Sequence, residues 1–281
     1  MKTWKKIVLG VSLISLFLGG GLVAWGYSQG GLTDLQNKTI SEQDYVKKEV
    51  KDFNKIDIKS SSYNVLIKNG EVDKATLSYY QKTKNPIDTS VKDGQLTIND
   101  NNSELDSTSN KHINFFGLKD LVRLSTLNEE VRNKTIVITL PKKQTIDFLK
   151  VDLATGNLDL SNSTIKQADI NLNVGDLTFT KMIVSNLKAN LDVGSVDSDH
   201  TLFTNSDLSI AMGDYSGDNL IFNGHNKLDV TSGDIEIALK DYTLNVQADS
   251  HSGEVDITNN LKISKDNTLT ITSDLGDITV E

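Results

Sequence analysis

From residue 53 onward, apolar and polar residues alternate in short segments separated by glycine, asparagine and aspartate. A period of two with many β-branched residues is typical of strands that bury one face. The alternation therefore predicts an all-β domain. In its first part we expect strands around the apolar positions Phe53, Ile56, Ile58, Val65, Ile67, Ala75, Leu77, Tyr79, Leu96, Ile98, Ile136, Ile138 and Leu140.

The second part, residues 146–281, carries an internal repeat marked by seven glycines separated by 19, 19, 19, 20, 20 and 23 residues. They are Gly156, Gly175, Gly194, Gly213, Gly233, Gly253 and Gly276. A small polar or acidic residue follows each one, which suits a tight corner because glycine reaches positive φ without strain. The pattern around Gly175 predicts that Val174 and Leu177 both point inward.

Two architectures fit this repeat. In a β-solenoid, each unit of about 20 residues is one coil that stacks in parallel on the next, so that equivalent positions form columns. In an antiparallel meander, the glycine–aspartate pair would be a type II′ hairpin turn. The near-constant period favours the β-solenoid (a β-helix-like fold).

The N-terminal region has the features of a membrane anchor. Residues 7–27 are uncharged and follow three lysines. At about 1.5 Å per residue this run spans roughly 30 Å of hydrocarbon. The lysines favour a cytoplasmic N-terminus and an extracytoplasmic C-terminal domain. A signal peptide cleaved near Ala24 and Gly26 is the alternative. We favour an uncleaved transmembrane signal-anchor over residues 1–27, which places the protein in the cell membrane as a single-pass protein.

Two further segments differ from the strand pattern. Residues 28–52 are polar and are interpreted as an extracytoplasmic tether, with a possible short helix around residues 41–50. Residues 101–133 interrupt the strand part 53–145 as an insertion. The insertion carries an apolar cluster that is either a cap on an open sheet end or a partner-docking patch. The cluster comprises Phe115, Phe116, Leu118, Leu121 and Val122.

Composition excludes several classes of protein. The chain has no cysteine, so disulfides and thiol chemistry are absent, and its net charge of −9 makes nucleic acid an unsuitable partner. Residues 146–281 hold 22 acidic residues against 8 lysines. Stacked corner carboxylates would repel each other unless they were solvated or bridged by calcium. The alternative is that these aspartates shape turns and keep the edge soluble.

The remaining chemistry is sparse. The histidines His112, His200, His225 and His251 show no metal-ligand spacing, and the last three have different offsets from the repeat glycines. No nucleophile elbow, phosphate loop or zinc-protease motif occurs. We therefore expect no catalytic residues, cofactor or metal, and a protein that is not an enzyme.

Several motifs together resemble a known family. They are Phe53-x-x-Ile56-x-Ile58, Val65-x-Ile67, Asp93-Gly94-x-Leu96-x-Ile98, Ile136-x-Ile138-x-Leu140-Pro141 and the glycine–aspartate repeat. Over residues 53–281 the chain resembles the β-strand-repeat "putative adhesin" domain of unknown function, and with its N-terminal span it is similar to LiaG-like envelope proteins. The resemblance implies a β-helical domain with a surface or envelope-stress role. It supplies no catalytic residues.

The sequence thus predicts a non-enzymatic cell-envelope surface protein, an adhesin-like binding module or a stress accessory. Its partners would be the membrane, through the N-terminal helix, and an envelope protein or wall polymer. A carbohydrate-active enzyme acting on wall polymer and a purely structural spacer are the alternatives.

Overall fold

The computed structural model describes residues 43–82, 86–100 and 134–281, and their regular structure consists of strands. Within those ranges the all-β prediction is confirmed. The same ranges contain no helix long and apolar enough to cross a membrane. The predicted anchor at residues 1–27 and the predicted patch within residues 101–133 lie outside the described residues.

The strands form three faces of a stack, which we call sheets A, B and C. Sheet A contains β1 (Gln43–Glu49), β3 (Asn64–Gly70), β4 (Thr76–Lys82), β7 (Thr135–Pro141), β10 (Leu158–Ser161), β13 (Leu177–Thr180), β16 (Val196–Asp199), β19 (Tyr215–Asn223), β21 (Ile235–Leu239), β23 (Val255–Ile257) and β25 (Ile278–Val280). Sheet B contains β2 (Lys55–Ser60), β5 (Asp88–Lys92), β6 (Gln95–Asn99), β9 (Phe148–Leu153), β12 (Ala168–Val174), β15 (Leu187–Val193), β18 (Asp207–Met212), β20 (His225–Ser232), β22 (Asn245–Ser252) and β24 (Thr268–Leu275). Sheet C contains the short strands β8 (Thr145–Ile146), β11 (Thr164–Ile165), β14 (Ile183–Ser185) and β17 (Leu202–Thr204). Sheets A and C join through β19, which pairs with β16 and then with β17.

Neighbouring coils pair in parallel and in register. Ala168 lies beside Leu187 and Ile170 beside Ala189, so β12 and β15 are offset by one repeat of 19 residues. Among the described strands, antiparallel pairing occurs for β4 with β7 and for β5 with β6. A meander would be antiparallel throughout, and the observed parallel sheets are therefore solenoid-like.

Inward side chains of all three sheets fill one continuous core. The apolar positions predicted between residues 53 and 140 are buried, as are the repeat positions Ile170, Leu172 and Leu177. Phe203 and Phe222 occupy the same position in successive coils, and their rings stack with centroids 5.8 Å apart. Phe179 of sheet A meets the ring of Phe203 edge-on, at a centroid distance of 5.3 Å. Identical positions therefore pack on each other, as a columnar repeat requires.

The order of coils in space differs from their order in the sequence at both ends. Near the C-terminus, β24 lies between β20 and β22, and β25 lies between β21 and β23. Near the other end, β2 lies between β6 and β9, and β3 between β7 and β10. The terminal coil of the stack is therefore β22–β23, not the last coil of the chain.

The segment before residue 53 corrects one prediction. The expected short helix around residues 41–50 is wrong, because Gln43–Glu49 forms strand β1 at the edge of sheet A. Strand β1 pairs with β4, and the ring of Tyr45 lies 4.9 Å from that of Tyr80. An available sheet edge outweighs the weak local preference of a polar segment.

Two buried serines provide a matched test of core packing. Ser206 Oγ is buried without a hydrogen-bond partner and borders a cavity of about 20 Å³ next to Asn226. Ser163 Oγ is also buried but hydrogen-bonds Asn69 Oδ1 at 2.6 Å. Because an unpartnered hydroxyl costs desolvation energy, Ser206→Ala should leave stability unchanged or raise it by up to about 1 kcal/mol. Ser163→Ala should lower it by about 1–2 kcal/mol in urea unfolding. An equal loss of stability in both variants would contradict the conclusion that Ser206 Oγ has no hydrogen-bond partner.

Candidate interaction surface

From β9 onward, each coil turns from sheet B to sheet A at one of the seven glycines, and these glycines form a single column. Six of them have φ between 140° and 152°, a conformation that other residues rarely adopt. A Cβ atom built on Gly194 would lie 1.9 Å from the carbonyl oxygen of Gly175, the preceding glycine of the column. The close stacking of coils and the positive φ angle therefore both require glycine at this position.

The residue after each glycine links one coil to the next. Its side-chain oxygen accepts a hydrogen bond from the backbone N–H of the equivalent residue in the neighbouring coil. For example, Asp176 Oδ1 accepts from Ser195 N at 3.0 Å, and Asp214 Oδ1 accepts from Asp234 N at 2.9 Å. The ladder begins at Asn64, which follows Tyr63 and not a glycine, and continues through Asn157, Asp176, Ser195, Asp214, Asp234, Asp277 and Glu254. Asparagine, aspartate and serine all fit this position because each supplies an acceptor oxygen.

The residue before each glycine corrects a second prediction. Val174 was expected inward, but 39% of its surface is exposed, because the corner extends over four residues between the inward Leu172 and Leu177. The same position is occupied by Met212 and Leu275, which are 57% and 56% exposed. The register joins these residues into one column that we call the apolar column: Val174, Val193, Met212, Ser232, Leu275 and Ser252.

Charge is strongly asymmetric around this corner. We define the glycine corner as the seven six-residue windows that begin two residues before each repeat glycine, from residues 154–159 to residues 274–279. These windows contain 11 of the 22 acidic residues of 146–281 and no lysine or arginine. The lysines of residues 146–281 lie on sheet B or in other turns and loops, for example Lys188 on β15 and Lys181 between β13 and β14. The glycine corner is therefore an acidic edge, whatever the charge of the other faces.

Asp159 illustrates how close carboxylates lie to each other along this edge. Partial burial raises the pKa of its carboxyl, and the negative charge of the nearby Asp176 raises that pKa further. A hydrogen bond from Thr178 lowers the pKa and offsets part of this increase. Asp159, Asp197 and Glu236 alternate with hydroxyl residues along the outer surface of sheet A. This alternation separates the carboxylates by two strand spacings, or about 9.6 Å, and limits their repulsion.

Sheet B carries a different outward column, which the sequence reasoning missed. Acidic and basic residues alternate along it in the order Asp57, Lys150, Asp169, Lys188, Asp207 and Lys227. Opposite charges on adjacent strands stabilise a sheet modestly. The signal that could have revealed it is the recurrence of alternating charge at the 19-residue repeat. Its charges offset each other, in contrast to the glycine corner.

The three histidines that the structure describes have different neighbours, and His112 lies outside the described residues. His200 Nδ1 lies 2.6 Å from Asp199 Oδ1, His225 Nδ1 lies 3.0 Å from Thr268 Oγ1, and His251 is exposed on β22. Throughout the described part of the chain, no group of three or more histidine, aspartate or glutamate side chains is arranged to hold a metal ion. The seven predicted glycines, in contrast, are brought together.

The corner ladder can be tested with two substitutions at one residue. Asp234 Oδ1 accepts the N–H of Asp277 at 2.9 Å. Asp234→Asn keeps an acceptor oxygen, as Asn157 does naturally, and should leave the melting temperature nearly unchanged. Asp234→Ala removes it and should cost about 1 kcal/mol, because the bond is solvent-exposed. Thermal unfolding of both variants measures the difference, and equal loss in both would show that the carboxylate charge matters instead.

A solenoid-like stack of parallel β-coils with a glycine–acid corner defines the class of this protein. The chain belongs to the Toastrack DUF4097 family, whose model matches residues 53–281. A comparison with curated proteins gave no match.

Solved structures similar to the chain include a "putative cell adhesion protein" from Clostridium sporogenes, with 16% identity and a TM-score of 0.40 over 85% of this chain and 99% of that one. A "putative adhesin" from Bacteroides fragilis has 17% identity and a TM-score of 0.38 over 85% and 97% of the two chains. A "putative lipid binding protein" from Parabacteroides distasonis has 12% identity and a TM-score of 0.42 over 86% and 98%.

Proposed function

We propose that this protein is a non-enzymatic binding module, displayed outside the cell membrane and held there by residues 1–27, with a LiaG-like role in the cell envelope. The observation that carries the proposal is the columnar surface. Parallel coils in register repeat the same side chain position about every 4.8 Å, which presents an ordered array to a partner. The glycine corner is the part of that array with a distinct chemical character.

The test for binding is a pull-down from envelope extract with the full chain in mild detergent. We expect one envelope protein or wall polymer to be enriched and recovered unchanged. The control is a variant with Asp214→Asn, Asp234→Asn and Asp277→Asn, which retains the corner ladder but loses three charges. Enrichment of nothing by the wild-type chain would favour the spacer alternative. Release of wall fragments, abolished by substitution of one carboxylate, would favour the carbohydrate-active enzyme.

The proposed location has a separate test. Protease added to intact cells should remove residues 53–281 while a tag at the N-terminus stays protected. Protection of the whole chain in intact cells, with digestion after lysis, would place the domain inside and contradict the proposal.

A further inference from the structure

We propose that the glycine corner binds an extended basic polypeptide segment that also carries apolar side chains. This inference rests on the proposed binding role and specifies the chemistry of its partner. Three parallel features run along the corner: the apolar column, the glycine column and the corner ladder, in which five of the eight residues are acidic. The column of seven glycines extends over six strand spacings, or about 29 Å, which is long enough for an extended segment of about eight to nine residues.

The acidic side of the corner selects a basic partner. In the ladder, one carboxylate oxygen of Asp214, Asp234 and Asp277 accepts a backbone N–H, and all three side chains belong to exposed residues. The ladder fixes each side chain, so a cation meets acceptors that are already oriented. Since the glycine corner holds no lysine or arginine, no such side chain of its own competes for these carboxylates.

The apolar column makes a polypeptide a better partner than a metal ion or a polyamine. Met212 and Leu275 lie in exposed positions where Ser232 and Ser252, in the same column, show that a polar residue fits. Exposed apolar side chains gain free energy only when another apolar group covers them. Carboxylates on one side and apolar side chains on the other side of a bare glycine backbone match a segment that offers both ammonium or guanidinium groups and apolar groups.

The experiment measures binding of three short synthetic peptides to the full chain in mild detergent, by fluorescence anisotropy at low salt. One peptide alternates Lys and Leu, the second alternates Lys and Ser, and the third alternates Glu and Leu. We expect the Lys–Leu peptide to bind most tightly and the Lys–Ser peptide to bind at least about fivefold more weakly. The Glu–Leu peptide should not bind. Higher salt should weaken binding, since the charges are exposed.

Two corner variants and one control identify the surface. The charge variant is Asp214→Asn, Asp234→Asn and Asp277→Asn, for which we expect about tenfold weaker binding of the Lys–Leu peptide. The apolar variant, Met212→Ser and Leu275→Ser, should remove the preference for Lys–Leu over Lys–Ser. The control is Asp57→Asn, Asp169→Asn and Asp207→Asn on sheet B, which changes net charge equally and should change binding less than twofold. Melting temperatures verify that each variant is folded.

Four results would overturn the inference. Equal weakening by the control and the charge variant would mean that only net charge attracts the peptide. Equal binding of Lys–Leu and Lys–Ser peptides would remove the role of the apolar column. Absence of peptide binding, while an envelope partner is still captured in the pull-down, would reject this partner chemistry and leave the proposed function intact. Loss of the pull-down partner as well would reject both.

Discussion

Gly194→Ala should destabilise the domain by more than about 3 kcal/mol, or prevent folding. Two costs add together at this residue. Its φ of 149° is unfavourable for any residue with a Cβ, and the new Cβ would lie 1.9 Å from the carbonyl oxygen and 2.6 Å from the carbonyl carbon of Gly175. Both atoms are backbone, so relief requires moving one coil relative to another. Urea unfolding of the purified chain gives the loss of stability.

Gly94 provides the matched control. It also has positive φ, at 73°, but the nearest atom to a built Cβ is a side-chain oxygen, Asn54 Oδ1, at 3.3 Å. Gly94→Ala should therefore destabilise the domain by about 1–2 kcal/mol, because only the unfavourable backbone conformation contributes and no backbone clash is added. If the two alanine variants lose the same stability, contact between stacked coils is not what requires glycine in the column.

Ile278→Ala should cost about 2–5 kcal/mol, whereas Ile257→Ala should cost less than about 1.5 kcal/mol. The two residues lie on paired strands of neighbouring coils, with Ile278 beside Val255 and Ile257 beside Val280, but Ile278 is fully buried between coils and Ile257 lies partly exposed in the terminal coil. Deleting methyl groups leaves a cavity only where neighbours surround the side chain on all sides.

This pair of variants tests the order of coils directly. If the coils stacked in chain order, β23 would lie in the interior and β25 at the end, and Ile257→Ala would be the more damaging change. Denaturant unfolding of the two variants, measured side by side with the wild-type chain, separates the two orders. A larger loss for Ile257→Ala would contradict the arrangement described above.

Predictability differs between parts of the fold. Strand positions could be predicted from the alternation of apolar and polar residues, because each strand buries one face and its inward and outward residues must differ. The column of glycines could be read because a close backbone approach allows only one residue type at every coil. Strand β1 could not be read, because its pairing with β4 depends on a sheet edge formed by residues far away in sequence.

The candidate surface was predictable only in part. The acidic bias of residues 146–281 and the glycine positions are visible in the sequence. The exposure of Val174 is not, because the alternation continues through it and only the width of the corner turns its side chain outward. The apolar column therefore became apparent when the register aligned Val174, Met212 and Leu275.

The sequence by itself determined the all-β class, the repeat of about 20 residues, the inward positions and the glycine corner, because each depends on local geometry or on one repeated contact. The tertiary structure decided which coils are neighbours. The seven coils that contain a repeat glycine share the same corner and a similar alternation, so the sequence pattern alone would allow β24 to pair with several of them. Packing selects the order: the large inward Leu269 and Ile271 of β24 are buried, whereas Val246 and Ala248 of β22 leave a smaller apolar area at the exposed end of the stack.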